Sequence, residues 1–135
     1  MEDWEVVEAA TAGSVRQAAL EVRESLVEGA GLGVFAGEDF PQGTVLEVAR
    51  VATVAASAVG SGGGDHDFSK YLVRWDDPAR PAVVAGIPLG VTSLVNHSPT
   101  PNVERVSVFD LDLSVLFSLR ALRCGEELLM DYWPD

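Results

Sequence analysis

A single cysteine, Cys124, in 135 residues excludes an internal disulfide and any zinc cluster built on cysteine thiolates. Basic residues are scarce too: nine Lys and Arg stand against 21 Asp and Glu, a formal net charge of −12. This imbalance argues against nucleic acid as a direct ligand, because a phosphate backbone rewards cations and repels an acidic surface. It is compatible with a basic protein partner such as a lysine-rich tail, although solubility alone explains the charge as well. No apolar run approaches the ~20 residues that cross a bilayer. The acidic start MEDWEVVEAATAG lacks both the basic and the apolar region of a secretory signal. These absences describe a soluble intracellular protein, nuclear or cytoplasmic, with no membrane partner. The two histidines, His66 and His97, have no cysteine or second histidine nearby, so no metal site is expected.

The residues that are abundant are apolar, and they are broken into short pieces. Hydrophobic residues make up 47% of the chain, enough for one modest core. Residues 1–20 show no strong period and are assigned as an N-terminal extension, with a single domain over 21–135. Apolar runs at 22–27, 34–36, 44–54 and 68–75 read as strands. Between them lie the turn formers EGAGLG and FPQG and the glycine-rich stretch 57–67, which opposes regular structure. The segments 103–109 and 113–119 flank Asp110-Leu111-Asp112 in the manner of a hairpin. No repeat is visible, and the pattern predicts a mainly β protein of several small sheets.

Three segments carry candidate chemistry. In GAGLGVFA (29–36), glycines let the backbone turn sharply and approach a ligand closely, yet no helix comes after it as a dinucleotide site requires. Taken alone it is most simply a hairpin turn. NHSPTPN (96–102) sets an amide, an imidazole and a hydroxyl side by side, and two prolines stiffen its second half. A structural turn explains it as well as a cofactor site does. GEELLMDYW (125–133) offers Glu126 and Glu127, but neighbours on a strand face opposite ways and make a poor acid–base pair. Its Tyr132 would by itself be an ordinary hydrogen-bonded phenol.

In combination and in this order, the three resemble the SET domain family of protein lysine methyltransferases, in the minimal form without zinc-binding flanks. Gly31-Leu32-Gly33-Val34-Phe35-Ala36, then Asn96-His97-Ser98 with Pro101-Asn102, then Gly125-Glu126-Glu127-Leu128 with Asp131-Tyr132 match the family pattern over about residues 20 to 133. The resemblance implies a β-clip of several short sheets with a knot-like C-terminal threading. It implies methyl transfer from S-adenosylmethionine to a lysine of a basic protein, histone-like tails included. Gly31, Leu32, Gly33, Asn96 and His97 would hold the cofactor, and Tyr132 would be catalytic.

By family position Phe68, Tyr71 and Trp75 are candidates for the lysine channel. Tyr71 is the one retained, and at least two of the three are expected in the core. Met130 and Trp133 complete the expected channel wall. Met130 stands where relatives often carry an aromatic that limits methylation, and Trp133 where larger members use a cysteine-rich tail. Pro99 replaces a frequent cysteine, and Ser93-Leu94 replaces a frequent Arg-Phe. The sequence ends three residues after Tyr132, so a homodimer is one way to close the channel. A SET-fold binding module with little or no catalysis is the competing reading.

Overall fold

The computed structural model describes residues 7–8, 15–59 and 71–133. Among them the short apolar runs become ten strands, all but one of six residues or fewer, because turn formers interrupt the other runs. The exception is β4, Val45–Ala55, whose run of Val and Ala is long enough to serve two sheet halves.

β1 (Arg16–Gln17) pairs with β4 and so ties part of the predicted extension to the main sheet. β2 (Leu20–Glu24) and β3 (Leu32–Ala36) form an antiparallel hairpin, with Leu20 opposite Ala36 and Glu24 opposite Leu32. Gly29 and Gly31, at φ 77° and 80°, supply the left-handed turn between them. One half of β4 pairs with β9 (Leu113–Ser118) and the other with β6 (Val83–Pro88). β5 (Val73–Arg74) extends the sheet beyond β6, and β8 (Val103–Val108) extends it beyond β9. The resulting order is β5-β6-β4-β9-β8. The β8–β9 hairpin turns at Asp112 in the left-handed conformation, as the Asp-Leu-Asp spacing predicts.

Residues 91–94 form a 3-10 turn, because Glu47 captures its first backbone donors. One piece differs from the sequence reading. The strand expected over 68–75 is regular only at Val73–Arg74 among the described residues. Phe68 and His66 lie outside them.

The core forms where the three motif segments converge. Val34, Leu46, Val95, Val103, Leu116, Leu122 and Leu128 are buried in one cluster, and Tyr132 packs against it. A smaller cluster of Val48, Leu113, Val115 and Phe117 lies on the other side of the sheet. No helix among the described residues is long and apolar enough to cross a membrane.

Candidate active site

The C-terminal segment is a polypeptide zipper between the other two motifs. On one side the Ala36 N–H donates to the Glu126 carbonyl and the Leu128 N–H to the Val34 carbonyl, each at 2.8 Å, so residues 126–128 form an added rung on β3. On the other, β10 (Leu129–Met130) pairs in parallel with β7 (Asn96–His97). The Ser98 N–H donates to the Met130 carbonyl and the Asn102 N–H to the Leu129 carbonyl, each at 3.0 Å. Three segments far apart in sequence thus meet along one short stretch of chain.

Buried polar side chains lock this arrangement. Asn102 is 4% exposed. Its Nδ2 donates to the Glu127 carbonyl at 2.9 Å and its Oδ1 accepts from the Leu129 N–H at 2.8 Å. The Glu127 carboxylate, also buried, accepts from Ser25 Oγ at 2.7 Å, the Leu26 N–H at 2.9 Å and Asn96 Nδ2 at 3.3 Å. Asn96 Nδ2 also donates to the Leu32 carbonyl at 2.9 Å, joining the second motif to the first. Glu126 faces the other way, with Arg120 bonded to it at 2.6 Å, so the two adjacent glutamates do separate work, as strand alternation requires. Arg120 holds the Glu126 carboxyl below the usual carboxylate range.

Gly33 is explained here. A Cβ on it would lie 2.4 Å from Glu127 Oε2 and 3.2 Å from Asn96 Nδ2, so the missing side chain makes room for the locking carboxylate. Gly31 is different: it has φ 80°, nothing would meet its Cβ, and it lines an open cleft.

Tyr132 stands beyond the zipper. Its O–H donates to the Val95 carbonyl at 2.6 Å, and its backbone N–H donates to His97 Nδ1 at 3.0 Å. A backbone N–H is always a donor, so His97 Nδ1 carries the lone pair and any ring proton sits on Nε2. The imidazole is 5.1 Å from the Tyr132 ring and 4.7 Å from Trp133, and Asp131 Oδ1 lies 3.8 Å from Nδ1. Partial burial pushes the Tyr132 phenol above its ordinary pKa and keeps it neutral.

Two clefts open beside Tyr132. The smaller, about 250 Å³, is lined by Ala30, Gly31, Leu32, Leu94 and Asn96, and the larger, about 870 Å³, by residues of β5, β8 and the C-terminal segment. Tyr132, Tyr71 and Ser93 line both.

Of the residues singled out from sequence, Gly31, Leu32, Asn96, Tyr71 and Tyr132 meet at the small cleft. Met130 and Trp133 line the large one, with Trp133 71% exposed. Gly33 and His97 line neither; Gly33 packs against Glu127, and His97 accepts from the Tyr132 N–H. Trp75 is fully buried against Phe109, a core position and not a channel wall. Asn102 stands in the second motif without an assigned role, and sequence reasoning missed Ser25 and Glu47. Glu47 is 2% exposed and accepts from Gln17, from the Val91 and Thr92 N–H groups and from Thr92 Oγ1, fixing the turn that delivers Ser93 to both clefts. An acid inside an apolar strand, TVLEVA, is the signal that could have found it.

A family model of the SET domain matches residues 31–133. A Schizosaccharomyces pombe protein, a histone-lysine N-methyltransferase specific for H3 lysine-37, is 28% identical over 113 residues, which cover 84% of this chain and 72% of that one. Among solved structures, a Plasmodium falciparum protein described as a histone methyltransferase superposes with a TM-score of 0.66 at 19% identity, covering 89% of this chain and 97% of its own. An apo ctPRC2 assembly with two substitutions in Ezh2 gives a TM-score of 0.69 at 17% identity, covering 89% of this chain and 16% of that chain. At such identities the two structures speak to the fold.

Proposed function

The chain belongs to the SET domain family, whose model spans residues 31–133, and from that premise we propose that it is a protein-lysine N-methyltransferase acting inside the cell. The donor is S-adenosylmethionine and the acceptor a lysine on a basic, histone-like protein tail. The single observation that carries this reading is the position of Tyr132, on the wall shared by two clefts of different character. The smaller cleft suits the donor: it combines a glycine backbone free of a side chain with a leucine face and an amide. The larger is an open groove of the kind an extended peptide fills.

When bound, S-adenosylmethionine supplies a methyl group on a positively charged sulfur, ready for transfer to a neutral amine. The chain's own residues prepare that amine. Free lysine has a pKa of ~10.4, so its proton must leave before the lone pair is available. Tyr71, Met130 and Tyr132 all line the larger groove; a lysine seated among them loses water, which disfavours the ammonium, and the proton departs to water at the groove. The Tyr132 O–H is committed to the Val95 carbonyl, which leaves the phenol oxygen's lone pairs to orient the amine N–H. Its raised pKa makes it a fixed dipole and not a base. His97 holds the Tyr132 backbone, and alignment of amine and methyl carbon contributes through orientation.

The test is incubation with labelled S-adenosylmethionine and a panel of histones and basic peptides, after donor binding has been measured by calorimetry. Label on lysine that falls sharply with Tyr132→Phe supports the mechanism. Transfer that survives the substitution removes Tyr132 from it. No donor binding at all leaves a SET-fold binding module.

A further inference from the structure

The larger groove holds a charge that methyl transfer does not use. Arg105 lies on β8 opposite Leu116 and lines the groove. Its Nη1 donates to Ser107 Oγ at 2.9 Å and lies 3.5 Å from Ser114 Oγ, and its Cζ is 5.9 Å from the Trp75 ring centroid. These partners are neutral. Among the described residues no carboxylate pairs with it, whereas Arg80 bonds Asp77 and Asp112, and Arg120 bonds Glu126. Burial draws the Arg105 pKa down to about 10.

The acids along the same groove are committed elsewhere. Asp76 faces Arg74 at 3.5 Å, and Asp131 accepts from the Trp133 N–H at 3.0 Å. Glu104, next to Arg105 on β8, also lines the groove and is engaged in an interaction of its own. A guanidinium taken from water without a counter-ion costs free energy, and its planar fork of donors matches a carboxylate. Two neutral hydroxyls use only one of its three nitrogens.

We propose that Arg105 is a specificity subsite that receives an Asp or Glu side chain of the peptide whose lysine enters beside Tyr132. The proposal rests on the methyltransferase reading and narrows its substrate. The groove takes a mixed-charge segment, with an acid near the target lysine, and not an unbroken basic run. Asp76 and Arg74 along the same wall give that groove both signs.

The experiment uses the full chain, S-adenosylmethionine and a peptide series in which one Glu is moved along both sides of a single lysine, with the matching Gln peptides as references. One Glu position is expected to lower KM about 10-fold relative to Gln with kcat unchanged, the size of one charge-assisted pair. Arg105→Met should erase that preference, Arg105→Lys should keep part of it, and Arg105→Glu should favour a Lys peptide at the same position. Because Met relieves an uncompensated charge, Tm should hold or rise in Arg105→Met, whereas a purely structural arginine would lower it. Peptides methylated equally well with Glu or Gln at every position would overturn the subsite and leave the enzyme reading intact. Failure of donor binding and of transfer to every peptide would overturn both.

Discussion

The zipper around residues 125–130 and the groove along β8 treat polar groups in opposite ways. In the zipper the polar side chains are spent: buried Asn102 and Glu127 and half-buried Asn96 satisfy backbone and one another, and even Gly33 is small for the sake of a carboxylate. In the groove Arg105 has neutral partners, and the Trp75 Nε1 behind it is buried with no hydrogen-bond partner among the described residues. The first region is assembled by its polar groups, and the second keeps donors in reserve. Side chains that a family pattern marks together therefore divide into those that hold the segments to one another and those that line the clefts.

This contrast can be broken most severely at Glu127. Glu127→Ala should cost roughly 2–3 kcal/mol in urea denaturation, since it removes a buried carboxylate that accepts from Ser25, Leu26 and Asn96 at once. A loss under about 1 kcal/mol would mean that the zipper is not held by its polar groups. Tyr132→Phe separates the two roles within one residue. Methyl transfer should fall on the order of 100-fold, while stability drops by only about 1 kcal/mol, because a single partly buried hydrogen bond is lost. Equal losses in both would place Tyr132 with the side chains that hold the segments to one another.

Gln in place of Glu47 keeps the shape but weakens a four-donor anchor, and about 1–2 kcal/mol is expected from thermal melts, with a raised KM for donor if the 91–94 turn drifts. The smallest effect belongs to the surface pair Arg120–Glu126. The Glu126 carboxyl is depressed in the fold, so its contribution is present above its unfolded pKa and is lost as pH falls through the lower folded value. Arg120 is about half exposed, so Arg120→Ala should cost less than about 1 kcal/mol near pH 7 and the difference should fade in acid melts.

The sequence exposed much of this. The hairpins at 20–36 and 103–118, the long strand β4 and the mainly β class arise from apolar runs cut by glycine and proline. Order of motifs, with strong signals at 96–102 and 125–132, was sufficient for the family. Roles within the motifs were harder to read. The resemblance marks Gly33 and His97 as cofactor contacts, and nothing local reveals that Glu127 lies beside the one and the Tyr132 N–H beside the other. The burial of Trp75 agrees with the expectation that most of this aromatic group is core, while the space it fills is made by Gly86 on β6.

Local chemistry by itself determined where this chain turns, which runs are extended and which residue types reach one neighbourhood of the motif. Only tertiary structure decided that residues 125–130 lie between β3 and β7, that Tyr132 stands on a wall between two clefts, and that Arg105 faces one of them without an acid among the described residues. The physical reason is range. Backbone preference acts over a few residues, whereas Glu127 bonds to Ser25 across 102 positions and Tyr132 to Val95 across 37.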